Sequence, residues 1–229
     1  MLALVDADIL VFRIGFTTED IDEGLMRARM RESVNKILES VQATEFKMFL
    51  TADDDPTAFR KRIYPEYKAN RVQPRPKLYN EIREHLQSHY DAEVCHGIEA
   101  DDALGITQTQ YLGQNKSIIV SIDKDLHQIA GLHYNFVKDV ESIVEPFEGL
   151  KYFYTQLLTG DSSDNIKGVW KCGPVKAAKI LEGAETEQEM FQRVRDTYLN
   201  DDEMLLNGRV LWIWKQPNND WIHRFNALK

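Results

Sequence analysis

Residues 2–6 read Leu-Ala-Leu-Val-Asp, and residues 117–123 read Ser-Ile-Ile-Val-Ser-Ile-Asp. Each is a short apolar run closed by an acid. A strand with one wet face alternates polar and apolar residues, whereas an unbroken apolar run suits a central strand covered on both faces. Phe46 to Thr51 and Ala92 to Cys95 read the same way, with His133 to Val137 a less regular fifth run. Helical patterns fall between these runs, at about 23–43, 75–89 and 99–112. Strand and helix in turn predict a parallel α/β sheet. From about residue 150 the pattern is helical only, so a core over 1–150 and a helical region over 151–229 are expected.

The composition sets bounds on this reading. A chain of 229 residues, 43% hydrophobic and 28% charged, has the make-up of a globular protein with a substantial core. It contains no apolar run long enough to span a bilayer. Its start lacks the basic flank and cleavage site of a signal peptide, so no membrane association and a cytoplasmic location are expected. Cys95 and Cys172 lie too far apart in sequence to suggest a disulfide framework, and free thiols are expected. The net charge of −9 argues against a surface that binds nucleic acid everywhere. Between Pro56 and Lys77, however, seven cations stand against the single acid Glu66. That makes a local basic patch.

In parallel α/β sheets, sites form outside the carboxyl ends of the strands. Asp6 ends the first strand, Asp53 follows the second, Glu99 the third, and Asp123 and Asp125 the fourth. Asp101 and Asp102 adjoin Glu99, and Asp161 and Asp164 stand three apart further on. Any one of these acids alone reads as a helix cap or turn residue. Crowded at one sheet edge they would repel strongly, unless hard divalent cations neutralise them. More acids than one ion needs points to two Mg²⁺ or Mn²⁺ ions, an arrangement that serves phosphoryl displacement. No phosphate-binding Gly-x-x-x-x-Gly-Lys-Ser/Thr loop and no nucleophile elbow occur. His85 and His89 have the i, i+4 spacing of a zinc pair, but no Glu follows the first.

Two further stretches carry cations. Residues 59–71, Phe-Arg-Lys-Arg-Ile-Tyr-Pro-Glu-Tyr-Lys-Ala-Asn-Arg, fit either a plain surface helix or single-strand contact through Arg, Lys and Tyr. In the second case Lys68 and Arg71 are the candidates to stabilise phosphoryl charge. Gly168 to Gly173 forms a short turn leading to Pro174, which suits the first position of a helix. This is either an ordinary helical hairpin or a phosphate grip, with Lys176 and Lys179 on one face. Trp212, Trp214 and Trp221 in the C-terminal tail read as core.

Taken in order, these motifs resemble the 5′ nuclease family: flap endonucleases, the 5′ nuclease domain of DNA polymerase I, and stand-alone phage 5′–3′ exonucleases. The resemblance runs from Leu4 to about Leu181 through Leu-Val-Asp6 with Arg13, Phe59-Arg60 to Arg71, Glu99-Ala-Asp-Asp102, Asp123-Lys-Asp125, Gly160-Asp-Ser-Ser-Asp164, and Gly168 to Lys179. The short chain looks most like the phage form. The resemblance implies a PIN-like sheet, a helical arch over about 56–77 and a helix-three-turn-helix that grips duplex DNA. It implies that Asp6, Asp53, Glu99, Asp101 and Asp102 serve a first metal ion, and Asp123, Asp125, Asp161 and Asp164 a second. Asp55 is the alternative to Asp53. Lys68 and Arg71 would contact the scissile phosphate and Tyr67 would stack a terminal base. Arg13, Arg60, Arg62, Gly168, Lys171, Gly173, Lys176 and Lys179 would contact DNA.

The implied activity is metal-dependent 5′–3′ exonuclease and flap endonuclease cleavage, by a monomer, of duplex DNA with a 5′ end, nick or flap, and of RNA–DNA hybrids. A PIN-type ribonuclease and a structure-specific DNA-binding protein with a vestigial metal site are the rival readings. The family's turn binds a potassium ion and has glycine where Lys171 stands here. Lysine there would cost on the order of 1 kcal/mol if the backbone is left-handed, and its ammonium could stand in for the ion.

Overall fold

A computed structural model describes residues 1–18, 22–114 and 116–229. In chain order the elements are β1 (Leu2–Asp6), α1 (Ala7–Thr17), α2 (Glu23–Ser40), β2 (Glu45–Thr51), α3 (Phe59–Ile63), α4 (Tyr79–Tyr90), β3 (Glu93–Cys95), α5 (Ala100–Gln110) and β4 (Ser117–Val120). After a 3₁₀ turn at Lys124–Gln128 come β5 (Gly131–Asn135), β6 (Val140–Val144), α6 (Pro146–Thr159), β7 (Gly160–Asp161), β8 (Ile166–Lys167), α7 (Pro174–Ile180), α8 (Glu187–Arg195), α9 (Asp201–Leu211) and α10 (Trp221–Leu228).

The main sheet has the order β3-β2-β1-β4-β5-β6, parallel except for the antiparallel β6. Every residue of β1 and of β4 is buried, as their unbroken apolar runs require. Ala3 and Val5 face a cluster shared with α1, α2 and α4, while Leu2 and Leu4 face a second with α5. The chain lays β2 and β3 to one side of β1 and then β4 and β5 to the other. The winding therefore reverses between β1 and β4, where open α/β sheets bind their ligands.

The structure adds one helix to the sequence pattern and changes two expectations. The run 7–17, apolar nearly all round and so without a helical stripe, is a helix capped by Asp6. The segment expected as a helical arch holds only the five-residue α3; turns and extended chain follow. Pro65, Pro74 and Pro76 explain why helix does not continue. Its residues 64–71 lie against the loop at 162–165: the Lys68 amide donates to the Asp164 carbonyl at 3.0 Å and Asn70 Nδ2 to the Ser162 carbonyl at 2.7 Å. Finally, the region after 150 is not purely helical, because β7 and β8 pair as a small ribbon.

The C-terminal helices surround an aromatic core of Phe153, Trp212, Trp221 and Phe225, with Phe153 and Trp212 centroids 4.8 Å apart. Trp212, Trp214 and Trp221 are all buried, as their sequence setting suggests. The same segment is tied to the sheet: the Ile213 amide donates to Gln128 Oε1 at 3.2 Å and the Trp214 amide to Asp102 Oδ1 at 2.9 Å. Among the described residues no helix is long and apolar enough to cross a membrane. Cys95 and Cys172 are free and buried.

Candidate active site

Asp6 closes β1 and caps α1, accepting from the Ile9 amide at 3.3 Å. Its second oxygen accepts from Ser121 Oγ at 2.7 Å, across the point where the sheet reverses its winding. Asp123 follows β4 and caps the 3₁₀ turn by accepting from the Asp125 amide at 2.8 Å. Glu99 follows β3 and caps α5, with Asp101 in its first turn. A cavity of about 480 Å³ opens here, lined by Asp6, Asp8, Thr51, Lys68, Arg71, Glu99, Asp101 and Asp123. Phe12, Phe16 and Ile122 form its apolar wall, and Arg13 stands at its side. A recess of about 20 Å³ beyond Glu99 and Asp101 is lined by Asp125, Asp161 and Asp164.

Asp161 and Asp164 owe their position to two glycines. Gly160 has φ +69°, and a Cβ on it would meet the Gly168 amide at 2.2 Å. Only glycine at both places lets the chain cross itself so closely, and the loop between them carries both acids into the recess. Asp161 Oδ1 accepts from the Ser163 amide at 2.8 Å and from Ser163 Oγ at 2.5 Å. Asp161 Oδ2 is buried and has no donor.

The electrostatics divide the cluster. Burial, then the charge of Asp8, pushes Asp6 up to about 7. Burial, then Asp123 and Asp161, pushes Asp125 up to about 7. Burial, followed by Asp6, Asp123 and Glu99, pushes Asp101 up as well. Glu99 goes the other way: burial opposes its charge, but Lys68 and Arg60 outweigh it and hold the carboxyl at about 2. Lys68 Nζ donates to Glu99 Oε1 at 2.5 Å, from a residue whose own backbone is left-handed at φ 58°. Arg71 pairs with Asp164, which also accepts from the Tyr67 hydroxyl at 3.0 Å.

No His, Cys, Asp or Glu trio among the described residues is already grouped closely enough to hold a metal ion. The donors nevertheless suit a hard divalent cation. They are all oxygens, burial and then mutual repulsion make the charged forms of Asp6, Asp101 and Asp125 unfavourable, and the buried Asp161 Oδ2 has no donor.

Several expected site residues lie elsewhere. Asp102 is fully buried beneath the cluster, held by Arg60 at 2.5 and 2.9 Å and by the amides of Glu99 and Trp214 at 3.1 and 2.9 Å. Its lone pairs are spent on the fold. Arg60, expected on DNA, is only 4% exposed and also donates to the Val210 and Trp212 carbonyls. Tyr67, expected to stack a base, is 5% exposed, with its hydroxyl donating to Glu99 at 2.8 Å. Asp53 sits in an adjoining cavity of about 370 Å³ and accepts from Arg75 at 2.8 Å and from Tyr79 at 2.9 Å. Asp55 staples its loop, accepting from the Gly97 amide at 2.6 Å and from Thr57; these bonds hold it at about 2.

The remaining cations are accessible. Arg62, Lys171, Lys176 and Lys179 are exposed, as is Gly173 at the head of α7, while Gly168 is half-buried. Arg13 lies over the Phe136 ring at 6.0 Å. Lys171 has φ +55°, the left-handed backbone a glycine would favour. Beside it Trp170 is 83% exposed and Val175 87%. Trp170, Asp8, Ser121, Tyr152 and Gln156 lie outside the residues expected from the sequence motifs, and the last two contact Asp125 at 3.5 and 2.8 Å. An acid two places after Asp6, in the first helical turn, was the available signal for Asp8.

Residues 1–153 match the model of the 5′-3′ exonuclease N-terminal resolvase-like domain. The chain is 26% identical over 182 residues to a 5′-3′ exonuclease of Mycoplasmopsis pulmonis, covering 73% of this chain and 61% of that protein. It is 26% identical to DNA polymerase I of Deinococcus radiodurans, over 88% of this chain and 23% of the polymerase. The flap endonuclease Xni of Shewanella putrefaciens is 24% identical over 91% of this chain and 84% of its own. Among solved structures, the flap endonuclease of bacteriophage T5 in complex with DNA and metal ions superposes with a TM-score of 0.72, 16% identity and coverage of 99% and 92%. That likeness establishes the fold, a parallel sheet flanked by helices.

Proposed function

The chain belongs to the 5′-3′ exonuclease family, whose N-terminal resolvase-like domain it carries over residues 1–153, and from that premise we propose that it is a metal-dependent 5′–3′ exonuclease with flap endonuclease activity. Its substrates would be duplex DNA with a 5′ end, nick or flap, and RNA–DNA hybrids, and it would act as a cytoplasmic monomer. The observation that carries the reading is the meeting of acids from three strand ends with Lys68 and Arg71 in one cavity.

Asp6, Glu99, Asp101 and Asp123 would hold one Mg²⁺ or Mn²⁺ ion. Asp125, Asp161 and Asp164 would hold a second, with Asp101 lining both places. When bound, such ions offset the carboxylate charge, acidify water and take up charge on a leaving oxygen. The chain's own residues do the rest. Lys68 and Arg71 now rest on Glu99 and Asp164. An arriving phosphate competes for them, and they then hold the charge that develops on the phosphoryl oxygens. Tyr67 and Arg60 fix Glu99 from behind, at 2.8 and 3.2 Å. Phe12, Phe16 and Ile122 offer an apolar wall to an unpaired end base.

Further along, Lys171, Lys176 and Lys179 would follow the duplex backbone, with Trp170 set against its sugars. The Lys171 ammonium lies 5.7 Å above the Trp170 ring and would take the place of a potassium ion at this turn. Arg13 and Arg62 would add phosphate contacts. The test is one panel of labelled substrates: nicked duplex, 5′ flap, RNA–DNA hybrid and single-stranded RNA, each with Mg²⁺ and with EDTA. EDTA-sensitive cleavage of the first three is expected. Cleavage confined to single-stranded RNA would favour the ribonuclease reading, and no cleavage at all would leave a DNA-binding protein.

A further inference from the structure

The strands that border the cavity hand it acids in turn: Asp6 from β1, Glu99 from the turn after β3, Asp123 from the turn after β4. β2 is the exception. It ends at Thr51, and the next acid along, Asp53, is turned toward Arg75, Tyr79 and Arg83 in the adjoining cavity, with Arg83 Nε at 3.3 Å. The end of β2 is nevertheless covered by a carboxylate. Both oxygens of Asp8, on the first turn of α1, accept from the Thr51 amide, at 3.2 and 3.1 Å. Asp8 lines the cavity of Asp6, Glu99, Asp101 and Asp123 and, with Glu99, also the adjoining one, whereas Asp53 lines the adjoining one alone.

Resting on the metal-dependent reading above, we propose that Asp8 supplies the carboxylate that β2 does not, and holds the divalent ion with Asp6, directly or through water. The plain alternative is that Asp8 is a structural acid, complementing the start of α1 and pairing with Arg83. Its contacts leave room for more. Arg83 approaches it only to 3.5 Å and spends its other donors on the Thr51 carbonyl at 2.8 Å and on Asp53. The Asp8 side chain keeps 29% of its surface exposed. Two carboxylates set two positions apart and turned to one cavity repel each other, and a cation between them removes that cost.

The test measures Mn²⁺ binding to the purified chain by titration calorimetry and by electron paramagnetic resonance of free Mn²⁺, with melting in EDTA as the folding control. Asp8→Asn is expected to weaken Mn²⁺ binding on the order of ten- to a hundredfold, and Asp53→Asn to leave it within about twofold of wild type. The double variant Asp8→Ser with Thr51→Asp, which moves the acid to the end of β2, is expected to regain binding. It also decides the matter if Asp8→Asn melts early. Wild-type binding retained by Asp8→Asn, or lost only in Asp53→Asn, overturns the assignment of Asp8 and leaves the nuclease reading standing. A wild-type chain that binds no Mn²⁺ overturns both.

Discussion

Arg60 holds Asp102 by two parallel hydrogen bonds, Nη1 to Oδ2 at 2.5 Å and Nη2 to Oδ1 at 2.9 Å, with both side chains almost out of solvent. The pair lies directly beneath Glu99, ties α3 to α5, and through the Val210 and Trp212 carbonyls ties both to the C-terminal helices. Removing one partner strands the other as a buried charge. Arg60→Ala should therefore lower the unfolding free energy by about 3–5 kcal/mol in urea titrations. If Arg60 were instead a surface contact to DNA, the same change would leave stability within about 0.5 kcal/mol.

Trp170 is 83% exposed, whereas Trp212, Trp214 and Trp221 are 1%, 8% and 0% exposed. Iodide quenching of tryptophan emission therefore reads Trp170 almost alone. Duplex DNA, added in EDTA to prevent cleavage, should protect it from iodide. Trp170→Ala should weaken duplex binding about tenfold, within the range of aromatic contacts to nucleic acid. Unchanged quenching at saturating duplex would remove Trp170 from the interface.

Lys171 sits at φ +55°, where a side chain costs on the order of 1 kcal/mol and glycine nothing. Lys171→Gly is expected to stabilise the fold by about that amount while weakening duplex binding, with the salt slope reduced by about one. Binding by the variant should also become stronger in K⁺ than in Na⁺ at equal ionic strength. A wild-type protein that already shows a strong K⁺ preference would contradict the substitution of ammonium for ion.

Asp6 and Asp125 each stand at about 7 in the folded chain, against 3.8 as their ordinary value. The folded state thus binds protons more tightly than the unfolded one. The resulting stabilisation is complete below pH ~4 and is lost as pH rises through 7. In EDTA, the melting temperature should fall between pH 5 and pH 8, and Mg²⁺ should recover more of it at pH 8 than at pH 5. A metal-free protein that gains stability over that interval would argue against a buried, mutually repelling acid cluster.

The strand ends were legible because burial on both faces and a terminal acid are local properties. Leu2 to Asp6 and Ser117 to Asp123 announce both, and the sheet topology then brings them together. Which acid serves the cavity is not local. Asp101 and Asp102 are neighbours in sequence, yet the turn of α5 sends one to the cavity and the other to Arg60. Asp53 follows its strand at the expected distance, but Arg75, Tyr79 and Arg83 from a later segment claim it. Tyr67 reads as a stacking residue until Glu99 and Asp164, from distant stretches, are seen to take its hydroxyl. In each case the deciding partner lies more than twenty residues away.

In the proposed nuclease the acids at the β1–β4 boundary would run phosphodiester hydrolysis at 5′ ends, and Asp123→Asn removes one of them. Single-turnover cleavage of a labelled 5′-flap duplex in Mg²⁺ should slow on the order of a thousandfold, with duplex affinity in EDTA within about twofold of wild type. A cleavage rate within about tenfold of wild type would show that Asp123 does not serve the hydrolysis.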